Sequence, residues 1–327
     1  MPRVSSSPRD LCRAARRAAD DINAALGVAA EFGPALPYPG RGQTWRRWEL
    51  LAAAGAGDLT VARTLEPHAD ALAILSEAGV RPAPGLWGVF AAEASGTTLT
   101  AVEESGRWRL EGTKPWCSLA RYLDHALVTA HARDGRRLFA VPLSESSVTV
   151  EQDRWVARGL QHLTTGPVHF AGTPAVPVGA PQWYLDRPGF GWGGIGVAAV
   201  WFGGANAIRD RLIRTLTEQT PTDVSRMQLG AVDVAQYGAG ASLRDGAVQI
   251  DGGSAESGAG ALLAARIRAV VADAAERTLG TAGHALGPAP LAFDEEHARR
   301  VADLQLYLRQ HHGERDLADI GATLLSA

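Results

Sequence analysis

The chain has 327 residues and a net charge of −3, with 46% hydrophobic and 20% charged residues. Those values belong to a folded globular chain, and at roughly 100–200 residues per domain the length allows two or three domains. The weak negative charge excludes a general nucleic-acid or acidic-membrane binder, which needs a basic surface. The one basic run, "RAARR" at 13–17, is read as the solvated face of a helix. Two cysteines far apart, Cys12 and Cys117, form neither a disulfide framework nor a metal cluster, and they fit a reducing cytoplasm. No run of 18 apolar residues suggests a membrane helix, and "MPRVSSSPRD" lacks the apolar region of a signal peptide.

Three regions follow one another. Residues 10–77 read as helical: "RDLCRAARRAADDINAAL", then a Pro/Gly loop, then helices over 45–54 and from Asp58 as N-cap to Gly79 as the residue past the end. From 87 to 178 the period shortens to two. Asp134-Gly135 between two alternating runs predicts a hairpin, and "SVTVEQ" and "GPVHFAG" predict further strands. Beyond 191 the pattern is helical again, over 197–216, 225–250, 261–282 and 297–325. No 20–50-residue repeat is present.

Several stretches could carry chemistry. "PGFGWGGIG" contains G-x-G-x-x-G twice, but no strand and no βαβ unit surrounds it, so it reads as a flexible lead into a closely packed helix. In "LEGTKPWCSLA" a Gly-Thr-Lys turn precedes Trp116, Cys117 and Ser118; this is either a hairpin corner with a buried Trp or an aromatic wall with a hydroxyl donor facing a planar ligand. "EPHAD" sets His68 between Glu66 and Asp70, which reads better as a contact between domains or subunits than as a metal site, since further ligands are missing. No metal site is expected.

Three stretches, taken in order, resemble the acyl-CoA dehydrogenase family. "RWRLEGTKPWCSLARYLDHALVTA" is similar to its middle-domain signature, "WVARGLQHLTTGPVHFAGTPAVP" to a later strand pair, and "GVAAVWFGGANAIRDRL" to the first helix of its C-terminal bundle. The resemblance implies an α+β fold: a shortened N-terminal helical domain (1–86), a middle β barrel (87–187) and a C-terminal four-helix bundle (188–327). It implies FAD, a small-molecule substrate such as an acyl thioester, α,β-dehydrogenation, and a homodimer or homotetramer. Alternatives within the fold are a flavin-dependent monooxygenase and a non-catalytic subunit paired with an active homologue.

By the same resemblance, Trp116, Cys117 and Ser118 contact the flavin, Glu93 sits in the loop preceding them, and His284 touches a partner's cofactor. The family's catalytic carboxylate occupies one of two places. Here one of them holds Gly193, and the other, eight residues past Asp303 of an Arg300/Asp303 pair, holds His311. Arg226, Gln228 and Gln236 lack the spacing of the family's pyrophosphate segment. On a continuous last helix Val301, Leu304, Leu308, His311 and Arg315 would share one face, with Glu314 one turn from His311. His311 is then either a satisfied core histidine or, with Glu314, the catalytic pair. His312 points elsewhere on that helix.

Overall fold

The structure, a computed structural model, describes residues 7–151, 155–255 and 257–326. Four helices come first: α1 (Pro8–Arg17), α2 (Ile22–Phe32), α3 (Thr44–Gly57) and α4 (Leu59–Glu77). Asp58 caps α4 by accepting the Val61 N–H at 3.0 Å, and Gly79 takes φ +69 beyond its end. Both are the roles the sequence assigns them. Pro67 inside α4 removes the hydrogen bond to the carbonyl four residues back, which loosens the helix at one wall of the cleft described below.

Seven strands follow: β1 (Trp87–Phe90), β2 (Leu99–Glu104), β3 (Arg107–Ser118), β4 (His125–Ala132), β5 (Gly135–Pro142), β6 (Val148–Val150) and β7 (Thr165–Val178). Pairing runs β4-β2-β3-β7-β5 and returns to β4, so the sheet closes, with β1 on β4 and β6 on β7. The β4–β5 hairpin pairs Ala132 with Gly135, and Gly135 takes φ +120. Alternation sorts β4 between two cores. Ala126, Val128 and Ala130 face the barrel interior with Phe139 and Phe170. Leu127 faces α4 with Leu72 and Leu75. His68 pins the same seam, its Nδ1 accepting the Trp87 N–H at 3.1 Å. The Gly-Thr-Lys segment is not a turn, because Gly112 to Lys114 run inside β3. Lys114 is buried there and donates to Thr129 O and Oγ1 at 2.9 and 2.8 Å.

A short helix α5 (Trp183–Asp186) leads to the bundle: α6 (Pro188–Thr217), α7 (Asp223–Asp251), α8 (Ser257–Leu286), α9 (Ala289–Phe293), α10 (Glu295–Tyr307) and α11 (Glu314–Leu325). The glycine-rich run expected to be a flexible lead is instead the first turns of α6, started by Pro188. Where α6 crosses α3, a Cβ on Gly55 would meet Val200 O and one on Gly203 would meet Ala52 O, so the two backbones approach only because both residues are glycine.

The expected helix over 297–325 is broken. A 3-10 turn (Leu308–Gln310) ends α10, His311 is extended at φ −89 and ψ 127, and Gly313 turns the chain at φ 55. The face predicted to join Val301 to Arg315 therefore ends at Leu308. Arg300 donates to the Ala56 and Gly57 carbonyls that end α3, and Asp303 accepts the Leu160 N–H at 2.5 Å. These two residues staple α10 to its neighbours.

Candidate active site

A cavity of about 670 Å³ lies where the barrel, α4 and the end of α10 meet. Its barrel wall is built by a bulge. β3 pairs Lys114 with Val168 and then Cys117 with Gly166, so Pro115 and Trp116 have no partner on β7. Bulges re-aim side chains and gather next to active sites. This one sets Trp116 in the left-handed region at φ 58 and leaves its indole 61% exposed at the cavity wall. Two residues on, Ser118 Oγ lies 2.9 Å from Thr165 Oγ1, and both side chains line the cavity. Glu93 lines it as well, 3.0 Å from His131 Nε2 and 3.3 Å from Arg136 Nε.

The neighbouring residue turns the other way. Cys117 is buried in the barrel core, donates to Lys114 O at 3.3 Å, and burial pushes its thiol far up. It therefore faces away from the cavity where a contact to the cofactor was expected. His284 is exposed in the last turn of α8, outside the lining of the cavity.

The histidine pair is also rearranged. His311 packs beside Trp201 and is absent from the cavity wall, whereas His312 lines it. The expected partner Glu314 is exposed, and Asp316 takes its place, with Oδ2 2.9 Å from His311 Nδ1 and Oδ1 3.3 Å from His312 Nδ1. One carboxylate gathers both rings because the break at Gly313 folds the start of α11 back under them. Burial lowers the His311 pKa, against the pull of Asp316.

The far wall comes from α4. Arg63, Glu66, Pro67 and Asp70 line the cavity, and Glu66 and Asp70 also line a second one of about 750 Å³ beside α6 and α8. Glu66 is 7% exposed. Its nearest cation is Arg63 at 3.8 Å, and it accepts no hydrogen bond among the described residues. Burial raises its pKa to about 7, with Arg63 opposing and Asp70 adding to the rise. Asp70 stands 4.0 Å from Arg47. Tyr307 closes this corner, 1% exposed, its hydroxyl without a partner among the described residues. From α8, Arg268 ties α6 to the 3-10 turn after α10, donating to Gly194 O at 2.6 Å and Gln310 O at 3.2 Å.

Sequence reading found the barrel wall, and it singled out Glu66 and Asp70 only as the flanks of His68 in a domain or subunit contact, without the cleft. Glu66 and Asp70 lie one turn apart on a helix whose other residues are mostly apolar, with Pro67 between them. That is the signal that could have marked a cleft. Among the described residues no group of three His, Cys, Asp or Glu could hold a metal. Among the described residues no helix is long and apolar enough to cross a membrane.

Residues 90–173 match the family model of the acyl-CoA dehydrogenase middle domain. No curated protein matches the chain. Solved structures do. Glutaryl-CoA dehydrogenase from Mycobacterium smegmatis in complex with FADH2 superposes with a TM-score of 0.78 at 15% identity, covering 99% of this chain and 96% of that one. Nitrososynthase from Micromonospora carbonacea var. africana gives 0.80 at 16%, covering 99% and 97%. Dibenzothiophene monooxygenase from Paenibacillus sp. A11-2, also solved with FMN and indole, gives 0.74 at 16%, covering 98% and 96%. The chain is an acyl-CoA dehydrogenase-fold protein: helical flanks around a middle barrel that matches the family's own.

Proposed function

We propose that the protein is a flavin-dependent oxidoreductase whose isoalloxazine ring lies against Trp116 and Ser118. The observation that carries this reading is Trp116 itself. A tryptophan held in the left-handed region costs about 1 kcal/mol or more and gains little by burial when it is largely exposed. Facing a cavity of about 670 Å³, it offers a flat stacking surface to a planar ligand. Ser118 adds a hydroxyl at the ring's edge, and Glu93 a carboxylate already paired with Arg136. A stacking face, a hydroxyl donor and an accepting carboxylate fit the face and polar edge of a flavin ring, which when bound supplies two-electron redox chemistry. FAD follows from the family resemblance. FMN is favoured by the bundle, where the buried Gln236 amide donates to Ala274 O and Thr278 Oγ1 and so is not free for a pyrophosphate.

The substrate class is an acyl thioester or related small metabolite, oxidised between its α and β carbons. A flavin-dependent monooxygenase is the second reading. It is favoured by the residues at the family's two acid positions, Gly193 and the extended His311, since neither is a carboxylate. Anaerobic reduction of the bound flavin by acyl-CoA supports dehydrogenation. Oxygen uptake by the reduced protein that depends on substrate supports oxygenation.

The working unit proposed is a homodimer or larger, joined through α7. Met227, Val234, Ala241 and Val248 recur every seven residues on its outer face and all are exposed, with Tyr237 beside them. A helix presenting such an apolar stripe marks an interaction surface.

A further inference from the structure

The two places where a family acid would stand hold Gly193 and His311, yet the cleft does not lack a carboxylate. We propose that Glu66 is the proton-accepting residue of the cleft, taking the α-proton of a bound acyl thioester from the α4 side, with the Tyr307 hydroxyl holding the ligand beside it. The inference rests on the flavin reading above and adds to it the residue that handles the proton.

Three observations converge on Glu66. It is the buried carboxylate common to both cavities, so a ligand in either meets it. The other acids there are committed elsewhere: Glu93 is half exposed between His131 and Arg136, Asp70 faces Arg47, and Asp316 holds both histidines. Glu66 has no such duty, because Arg63 at 3.8 Å is an ion-pair neighbour and not a hydrogen-bond donor to it. Buried charge without hydrogen bonds is costly and persists where function requires it.

Tyr307 is the independent sign of a ligand. Among the described residues its hydroxyl, buried in the cavity wall, has no partner, although a buried phenol normally finds one. A ligand oxygen in the cavity would satisfy it. Burial also brings Glu66 close to half-ionised at neutral pH, where a proton acceptor works best.

The step is a simple transfer. The substrate Cα–H bond breaks, its electron pair stays on the substrate as an enolate, and an O–H bond forms on Glu66. No electron leaves the substrate in this step, so it can be read without turnover.

The test is exchange of the α-hydrogens of butyryl-CoA with D2O, followed by mass spectrometry, on the purified protein without oxygen. Wild type incorporates deuterium, and Glu66→Gln slows incorporation by roughly 100-fold or more. An infrared titration supplies a readout without substrate: two protonated carboxyl components, from Glu66 and Asp303, disappear near neutral pH in wild type, and in Glu66→Gln the Glu66 component is missing while that of Asp303 remains. Should that variant fail to fold, Glu66→Asp keeps the charge, retains the band and slows exchange. Unchanged exchange in Glu66→Gln, or no exchange by a flavin-bearing wild type, overturns the proposal. Failure of wild type to hold flavin sinks the flavin reading instead, and the exchange and infrared results still judge Glu66.

Discussion

The Asp70 carboxylate fills the space that a side chain at Gly193 would occupy: a Cβ built there would stand 2.9 Å from Oδ1 and 3.3 Å from Oδ2. Acidic chemistry at this point of the cleft thus comes from α4, across from the α6 position where the family resemblance looks for it. A side chain at 193 must push Asp70 off Arg47. Gly193→Ala is expected to destabilise the protein by about 1–3 kcal/mol, as overpacking does. Thermal unfolding of the variant against wild type measures it, and an unchanged midpoint would show that Asp70 moves freely.

Trp116 separates stability from function. Glycine suits φ 58 better than tryptophan does, and the indole is mostly exposed. Trp116→Gly is expected to match or exceed wild-type stability by up to about 1 kcal/mol. Flavin affinity should fall roughly 3- to 10-fold with the lost stacking. Parallel melting curves and flavin titrations check both halves; equal flavin affinity would remove the ring from this wall.

Tyr307 follows the same logic from the opposite side. Among the described residues its hydroxyl has no partner. Tyr307→Phe should therefore cost little or nothing in stability. It should weaken acyl-CoA binding by about 10-fold, the worth of one hydrogen bond of 1.4 kcal/mol. A large loss of stability would mean that the hydroxyl is satisfied within the fold.

Asp303 gives a dependence on pH. Burial raises its pKa to about 7, outweighing the Leu160 N–H. The folded state then binds more protons than the unfolded state between about pH 4 and 7. Its contribution is fully present below the unfolded pKa and is lost as pH rises through 7. Asn retains the carbonyl oxygen that accepts the Leu160 N–H. Asp303→Asn should gain stability relative to wild type as pH goes from 5 to 8, measured by denaturant titration at each pH. His68, held near 4 by burial, works the other way over roughly pH 4–6.5, so the comparison with the variant isolates Asp303.

Helix α7 predicts the assembly. Val234→Glu, on the exposed stripe of seven-residue repeats, should leave the monomer folded and reduce its association. Sedimentation velocity reads the difference. A wild type that remains monomeric at high concentration would leave that stripe without a second copy.

The order α, β, α was legible because each region keeps one hydrophobic period, and Asp58, Gly79 and the Asp134-Gly135 hairpin carry their own local chemistry. Trp116 and Ser118 were legible as a motif. The inward turn of Cys117 was not, since it depends on a bulge that only the pairing of β3 with β7 defines. The last helix misled for a related reason. Leu308, His311 and Arg315 fit a helical period, yet Gly313 and the pull of Asp316 on both histidines break it. Glu66 and Tyr307 come together from positions far apart in the chain, α4 and α10, and no local pattern announces that meeting.

The most direct test of the central claim is an absorbance spectrum of the purified protein, taken as isolated and again after incubation with FAD or FMN and gel filtration. The account predicts a flavin band that co-elutes with the wild-type protein and weakens in Trp116→Gly. A wild-type protein that emerges without flavin from both incubations would contradict it.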